Sequence, residues 1–319
     1  MKKIVNEILK IFKKNNNFFI TGHIRPDGDT IGSELAIASW LKKNNKNVEI
    51  AHTDKLPDNL LFLSGTENII ITNKIDKEYE VGIIFECPDT TRMKNIIDLN
   101  KLKKIISIDH HPTEFSFGHI NLINTKVSSC AELVYTLMRQ SKYVPNLNEA
   151  ICLYVGLVTD TGKFQQMNTT SNCLKIASEL VKIGVNPAEI YRNIYGKKTV
   201  TSAKILAKAL ETLNFEDGIC YMWLSDKINK DIQNVQLTTD DIINYAGLIS
   251  DTKIYVLFSE FKDKGIVKVS LRSYDDNIDL NKIASKFGGG GHKHASGCEI
   301  KGSLNKIKQE VLEYLKKCI

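Results

Sequence analysis

Phe18-Phe19-Ile20-Thr21-Gly22-His23-Ile24-Arg25-Pro26-Asp27-Gly28-Asp29-Thr30-Ile31-Gly32-Ser33 is the stretch on which the reading of the chain turns. Its apolar start, Phe18 to Ile20, has the composition of a buried strand. The loop that follows carries one imidazole and two carboxylates in quick succession. Past Asp29 the period changes, and Ile31, Leu35, Ala38 and Trp40 or Leu41 fall on one helical stripe. Strand, loop and helix in this order form the repeating unit of open α/β sheets, whose functional groups collect at the carboxyl ends of the strands. Neutral imidazole and carboxylate are also ligands for borderline and hard divalent metals. A plainer reading has Asp29 or Thr30 capping the helix and Asp27-Gly28 making a turn. Recurrence of the same groups downstream decides between the two.

They recur. Val81-Gly82-Ile83-Ile84-Phe85 runs into Glu86-Cys87-Pro88-Asp89, and Lys104-Ile105-Ile106-Ser107-Ile108 runs into Asp109-His110-His111-Pro112. Continuous apolar runs are the mark of parallel strands buried on both faces. Here each ends in acid or histidine, which predicts a metal-lined crevice along one edge of a parallel sheet. Asp160, in Thr159-Asp160-Thr161-Gly162, ends a periodic helix expected over 148–158. Other helices are expected over 3–14, 30–43, 129–138 and 171–183, the last with Gly184 beyond its end. Val48 to Ala51 reads as a second strand, and Leu60 to Leu63 as a short helix or buried turn.

The polar run Tyr195-Gly196-Lys197-Lys198-Thr199 marks a linker region, with a helix over about 201–213. Beyond it the texture changes. Asp217-Gly218 is a hairpin signal, and Lys262-Asp263-Lys264-Gly265 separates the apolar runs Ile254 to Phe258 and Ile266 to Leu271. The expected organisation is therefore an α/β domain at 1–190, a linker at 191–213, and a smaller α+β domain with antiparallel strands at 214–319. Neither an internal repeat nor a low-complexity tract is visible.

With 319 residues the chain is long enough for two cores. Hydrophobic residues at 42% and charged residues at 25% are ordinary for globular chains, which excludes disordered and fibrous classes. The net charge of +6 leans toward anionic partners but is too weak for a duplex-DNA binder. The seven cysteines are scattered without a C-x-x-C pair, so buried thiols are expected rather than a disulfide framework or zinc knuckle. No apolar run approaches the ~20 residues of a membrane span, and no signal-peptide core follows Lys2-Lys3. A cytoplasmic location is expected.

Histidines 23, 110, 111, 292 and 294 lie in three short stretches beside acids or glycines, which scattered core histidines would not do. His52 and His119 have no such company and read as surface or packing residues. His23, Asp27, Asp29, Glu86, His110 and Asp160 supply the ligand inventory of a two-metal site. Metals ~3.5–4 Å apart serve in-line displacement at phosphorus. Single-zinc chemistry is less attractive because H-E-x-x-H and C-x-x-C are missing. Gly288-Gly289-Gly290-Gly291-His292 interrupts a helical pattern over Leu280 to Phe287. It reads either as a flexible loop or as a backbone N–H nest that admits an anion. It is neither a Walker A loop nor G-x-G-x-x-G. Arg272-Ser273, ending an apolar strand, offers a bidentate contact to phosphate or carboxylate.

Asp109-His110-His111, preceded by His23-Ile24-Arg25-Pro26-Asp27-Gly28-Asp29 and followed by Gly156-Leu157-Val158-Thr159-Asp160-Thr161-Gly162, resembles the DHH phosphoesterase family. Gly289-Gly290-Gly291-His292-Lys293-His294-Ala295-Ser296-Gly297 is similar to the signature of its accessory DHHA1 domain. The resemblance runs through the whole chain. Its length matches the stand-alone nano-RNase/pAp-phosphatase and cyclic-dinucleotide phosphodiesterase group.

That resemblance implies an N-terminal parallel-sheet DHH domain with helices on both faces and a C-terminal DHHA1 domain. It also implies two Mn²⁺ ions, with Mg²⁺ or Co²⁺ as substitutes. His23 and Asp27 would hold one metal and Asp29, His110 and Asp160 the other. His111 would face the scissile phosphate with Asp109 orienting the pair, and Arg92 would lie nearby or touch phosphate. Arg272, Ser273, Gly289, Gly290, Gly291 and His292 would grip the terminal phosphate or base. Where the family has a bridging aspartate, strand phasing puts Glu86, one methylene longer; Asp89 is the alternative if the loop folds back. The implied substrates are short RNA or DNA, pApA, cyclic di-AMP or adenosine 3′,5′-bisphosphate. A homodimer is left open. Other readings are a pyrophosphatase of the same superfamily, disfavoured by the Gly-rich His motif, and a nucleotide sensor, which only the Glu86 departure favours. A processive exonuclease is disfavoured by the mild charge.

Overall fold

In the computed structural model, which describes residues 2–112, 117–196, 199–233 and 239–319, the opening strand β1 is Asn17–Thr21. The chain divides into two compact units, Met1–Lys197 and Lys198–Ile319.

In the first unit, α1 (Lys2–Lys14) precedes β1, and α2 (Gly28–Lys43), β2 (Asn47–His52) and the two-residue β3 (Ile70–Ile71) follow it. Then come β4 (Tyr79–Phe85), β5 (Leu102–Asp109) and β6 (Ile120–Ile123), and four helices: α3 (Cys130–Gln140), α4 (Leu147–Asp160), α5 (Ser171–Ile183) and α6 (Pro187–Tyr195). The strands pair in parallel in the order β3-β2-β1-β4-β5-β6. The chain leaves β1 for β2 on one side and reaches β4 on the other. The order therefore reverses between β1 and β4, where open sheets place their ligand crevice.

The fold class is the expected one, but the sheet is covered unevenly. Phe18, Ile20, Ile83, Phe85, Ile106 and Ile108 face a core built with α1 to α6. Phe19, Ile84 and Ile105 face a smaller core formed with Tyr79, Met93, Ile96 and Ile97, covered by 3₁₀ turns such as Thr90–Met93 rather than by α-helices. The alternation follows from the strand period of two. Leu60 lies in a 3₁₀ turn at Asp58–Leu60, in line with the short-turn reading. Helix α2 lies against α4 with almost no space between them. A Cβ on Gly32 would stand 2.3 Å from the Cys152 carbonyl oxygen, and one on Gly156 would stand 2.7 Å from Asp29 Oδ1. These glycines let the helix carrying Asp29 and the helix carrying Asp160 approach closely.

The second unit contains α7 (Val200–Leu210), β7 (Asn214–Glu216), β8 (Ile219–Leu224), α8 (Asp226–Gln233), α9 (Thr239–Ala246), β9 (Ile254–Phe261) and β10 (Ile266–Arg272). It continues through α10 (Leu280–Lys286), β11 (Gly290–His292), β12 (Ala295–Lys301) and α11 (Leu304–Leu315). Both expected hairpins form: β7 and β8 turn at Asp217-Gly218, both at positive φ, and β9 pairs with β10. The sheet, β11-β12-β10-β9-β8-β7, is mixed rather than wholly antiparallel. Strand β8 runs parallel to β9 because the α8–α9 segment carries the chain back before β9 begins. Helices α10 and α11 pack on one face, and α7 and α9 on the other. The stretch expected as a linker over 191–213 thus consists largely of the end of α6 and all of α7. All cysteines are free, and all but Cys318 are buried. Among the described residues no helix is long and apolar enough to cross a membrane.

Candidate active site

The loop after β1 is pinned at almost every residue. Asp27, not Asp29 or Thr30, caps α2: its Oδ1 accepts from the N–H groups of Asp29 and Thr30, each at 3.0 Å. Its Oδ2 remains turned toward His23 Nε2 at 4.0 Å. His23 Nδ1 lies 2.7 Å from the Ile24 carbonyl, so the proton is assigned to Nδ1 and Nε2 keeps its lone pair, 3.2 Å from Glu86 Oε2. Between these groups Arg25 adopts φ +53°, with its N–H on Asp54 Oδ2 at 2.8 Å, while the Ile24 N–H donates to the Arg92 carbonyl at 2.6 Å.

Asp29 is fully buried, yet both its oxygens are satisfied by the N-terminus of α3. The Cys130 N–H donates to Oδ2 at 2.6 Å and the Ala131 N–H to Oδ1 at 2.9 Å. Those amides have no partner within their own helix, and the helix dipole favours an anion there. Glu86 follows β4 at φ +53°, an uncommon conformation for a non-glycine residue. The Thr30 hydroxyl donates to its Oε2 at 2.5 Å, while its Oε1 is buried without a hydrogen bond. His110 Nε2 is also buried and unbonded, 3.5 Å from Asp160 Oδ2, 3.8 Å from Glu86 Oε1 and 4.0 Å from Asp29 Oδ2. Asp160 is held from behind by the Asn168 amide, which donates to its Oδ2 at 3.2 Å and to its carbonyl at 3.1 Å.

So many carboxylates in one buried place cannot all ionise freely. Burial, then the Asp29 and Asp27 charges, push Asp160 up to about 9. Burial and the same neighbours push Glu86 well up, against the pull of Thr30. Burial pushes His110 down and so favours the neutral, ligating form. Such groups fit a divalent cation. Ligand atoms of His23, Asp27 and Glu86 lie within 4.8 Å of one another, as do those of Asp29, His110 and Asp160. Each set brings a bare imidazole or orphaned oxygen that a cation would engage, and oxygen–imidazole donors suit hard and borderline ions. Cys130 Sγ falls within the same reach of Asp29 and Glu86, but burial keeps it a thiol.

Glu86 therefore stands in the cluster. Asp89 does not, since its Oδ1 caps the 3₁₀ turn at Thr90–Met93, accepting from the Thr91 N–H at 2.8 Å. Asp109 is buried and His111 half-exposed, with Nδ1 3.0 Å from Asp109 Oδ1. Burial alone would push Asp109 up, but hydrogen bonds from the His111 ring and N–H outweigh it and leave its carboxyl below the usual range. The same ring contact raises His111. Arg92 is exposed on the 3₁₀ turn, its carbonyl tied to Ile24.

One pair escaped the sequence reading. His52 takes the packing alternative, buried with Nε2 2.8 Å from Glu34 Oε2 on α2, a partner the sequence did not suggest. A Cβ on Gly22 would stand 3.0 Å from Glu34 Oε1, so this pair underlies the His23 loop. Its signal was weak: Glu34 falls among the polar positions of a helix, and the acids near His52 in sequence are Glu49 and Asp54 rather than Glu34. His119 is exposed, and its Nδ1 accepts from the Ile105 N–H at 3.0 Å.

The chain leaves Asp160 through three successive left-handed residues, Gly162 (φ +53°), Lys163 (φ +67°) and Phe164 (φ +63°). The conformation suits glycine but costs a side-chain-bearing residue about 1–2 kcal/mol. Phe164 returns that cost by packing edge-on against Tyr154, with ring centroids 6.0 Å apart. Lys163 is exposed; its ammonium lies 4.6 Å from the Tyr195 ring centroid and 5.9 Å from that of Tyr191. Exposed contacts of this kind are worth about 0.5–1 kcal/mol.

In the second unit, register puts Arg272 opposite Ala295 and Ala295 opposite His292, so Arg272 and His292 share one row of the sheet. Arg272 Nη1 donates to the Leu271 carbonyl at 3.0 Å. Ser273 is buried, and its hydroxyl donates to the Lys253 carbonyl at 2.6 Å while accepting from the Asp275 N–H at 3.0 Å, so it shapes the turn. The glycine run is neither a flexible loop nor a nest but enters a hairpin, with Gly290 opposite Gly297 and Gly291 opposite Ser296. A Cβ on Gly289 would lie 2.1 Å from the Gly297 carbonyl, which is why side chains are missing here. His292 is exposed at its tip.

Residues 17–157 match the DHH family, N-terminal domain, and residues 216–317 match the DHHA1 domain. With the fold and the crevice, this defines the class, and the chain belongs to the DHH/DHHA1 phosphoesterase family. A probable bifunctional oligoribonuclease and PAP phosphatase NrnA from Streptococcus mutans is 31% identical over 91% of this chain and 91% of its own. The bifunctional oligoribonuclease and PAP phosphatase NrnA of Bacillus subtilis is 27% identical over 92% of each chain. A crystal structure of an exopolyphosphatase-related protein from Bacteroides fragilis has a TM-score of 0.90 at 25% identity, covering 99% of this chain and 97% of that one. Within the family the chain falls in the NrnA group and is a hydrolase of phosphoric esters.

Proposed function

We propose that this protein is a two-metal, manganese-dependent phosphodiesterase that cleaves short oligonucleotides and dinucleotides such as pApA to mononucleotides. The observation that carries the reading is the pair of ligand sets, His23/Asp27/Glu86 and Asp29/His110/Asp160, in one buried crevice with orphaned Glu86 Oε1 and His110 Nε2 between them. Bound there, divalent cations would supply Lewis acidity toward phosphoryl oxygens and an activated water. Mn²⁺ suits this oxygen–imidazole set, with Mg²⁺ or Co²⁺ as substitutes.

The remaining work belongs to side chains. Asp109 fixes the His111 ring through Nδ1 and favours its protonated form, so Nε2–H is available to a phosphoryl or leaving oxygen. His110 stays neutral and holds its lone pair toward Asp160 and Glu86. Arg92, at the mouth of the same loops, would neutralise phosphate charge. Arg272 and His292, with the Gly289–Gly291 backbone, would receive the terminal phosphate or base of a short substrate; Ser273 would support them through its turn. Removal of the 3′-phosphate from adenosine 3′,5′-bisphosphate is a second activity of the same site, favoured by the dual naming of the relatives.

The test is a time course with Mn²⁺ on pApA, cyclic di-AMP and adenosine 3′,5′-bisphosphate at equal concentration. Fast pApA cleavage is expected, with release of phosphate from the bisphosphate. Ring opening at a comparable rate would move the assignment to cyclic-dinucleotide turnover. Inactivity on all three would leave a nucleotide sensor.

A further inference from the structure

The left-handed turn after Asp160 is costly at Lys163, whose two exposed tyrosine contacts do no more than offset the strain. Phe164 offsets its strain by packing half-buried against the core, whereas Lys163 only rests on two tyrosines. The strain persists because the turn is over-determined. The Lys163 N–H donates to the Val158 carbonyl at 2.8 Å, the Phe164 N–H to Thr161 Oγ1 at 3.1 Å, and the Gln165 and Gln166 N–H groups to the Thr161 carbonyl at 3.0 Å. Asn168 then returns the loop to Asp160, at the carboxylate and carbonyl. Lys163 is thus presented at the apex of a rigid loop that starts and ends at a ligand of the metal crevice. Backbone strain held in this way concentrates where a ligand is bound.

The surroundings of Lys163 suit a nucleotide. Tyr191 and Tyr195, one turn apart on α6, form a ring pair with centroids 5.4 Å apart, and Tyr191 is 49% exposed. The end of α6 is fixed by the Asn59 amide, which donates to the Ile194 carbonyl at 3.1 Å. An exposed aromatic face beside an ammonium takes a base by stacking and its phosphate by charge.

We propose that Lys163, Tyr191 and Tyr195 form a nucleotide subsite, in which the Tyr191 ring stacks on a base and the Lys163 ammonium contacts a phosphate flanking the scissile bond. The inference rests on the proposed cleavage of short nucleotides for the identity of its ligand. Because Tyr191 is exposed, its truncation leaves the core intact.

The test measures binding without turnover, using a non-cleavable phosphonate analogue of pApA and the same analogue with one base deleted. Wild-type protein should bind the base-deleted analogue about tenfold more weakly. Tyr191→Ala should weaken the complete analogue by a similar factor and collapse the difference between the two. Lys163→Met should weaken both about threefold, less at high salt. Equal affinity of the wild type for both analogues, absence of binding, or an undiminished difference in Tyr191→Ala overturns the subsite. Turnover of pApA is scored separately. Base-dependent binding without turnover would refute the hydrolytic reading and keep the subsite; turnover with base-independent binding would do the reverse.

Discussion

The inner side chains of the first unit's crevice, Asp29, Glu86 and His110, are largely buried beside strained backbone, while in the second unit Arg272 is half-buried and His292 exposed on regular strands. Asp29 and Glu86 are almost inaccessible, and Arg25 and Glu86 sit in the left-handed region. Arg272 and His292, by contrast, are placed by strand register, with Arg272 Nη1 also on the Leu271 carbonyl, and His292 is open to solvent. Under the proposed function the difference would separate two tasks. Chemistry at phosphorus needs charges fixed in advance in a dry place, where they are worth most. Recognition of a short, soluble anion needs donors that the ligand can reach, and the ends of regular strands supply them at little conformational cost.

Three perturbations sharpen that contrast. The largest effect is expected at Glu86: Glu86→Gln should lower turnover by roughly a thousandfold, whereas Asp89→Ala stays within about twofold. Steady-state rates settle this, and equal losses would mean that Asp89 reaches the crevice after all.

Metal removal comes next. Without cations the crevice carries carboxyls whose affinity for protons is raised, Asp160 to about 9 from 3.8. The folded state then binds more protons than the unfolded one, so stability should fall as pH rises from about 4 to about 9. Thermal unfolding in a chelator should show this decline. Mn²⁺ at a hundred times its Kd should add about 2.7 kcal/mol per site and flatten the pH dependence. A pH-independent melting temperature in chelator would contradict the buried-charge account.

The smallest effect belongs to the second unit. Arg272→Ala should raise KM about tenfold and leave kcat within about twofold. A fall in kcat at constant KM would make Arg272 part of the chemistry.

The crevice loops were legible because a simple coincidence marks them: apolar runs that each end in acid or histidine. Strand phasing was enough to put Glu86 rather than Asp89 at the crevice, since Phe85 closes β4 and the next side chain faces its carboxyl end. Other features left weaker marks. Strand β6 is only Ile120–Ile123 at a sheet edge, too short to stand out from loop. The cap on α2 went to Asp27 because a side chain two residues ahead of Asp29 reaches both orphan amides. The glycine run was ambiguous, because glycine is demanded both by nests and by strands that lie backbone against backbone. The Glu34–His52 pair and the platform under Lys163 join residues far apart in the chain, and no local pattern records such meetings.

The anchoring of Asp29 by the first amides of α3 has a genetic consequence. Donors that belong to the main chain are present whatever side chains a codon specifies, so at the fully buried positions 130 and 131 any residue small enough to pack keeps the carboxylate anchored. Proline is the exception. At 130, the first residue of α3, it would fit the helix and silently delete the N–H that reaches Asp29 Oδ2. A survey of tolerated substitutions at that position should therefore admit small residues and exclude proline, although proline at the first residue of a helix is ordinarily welcome.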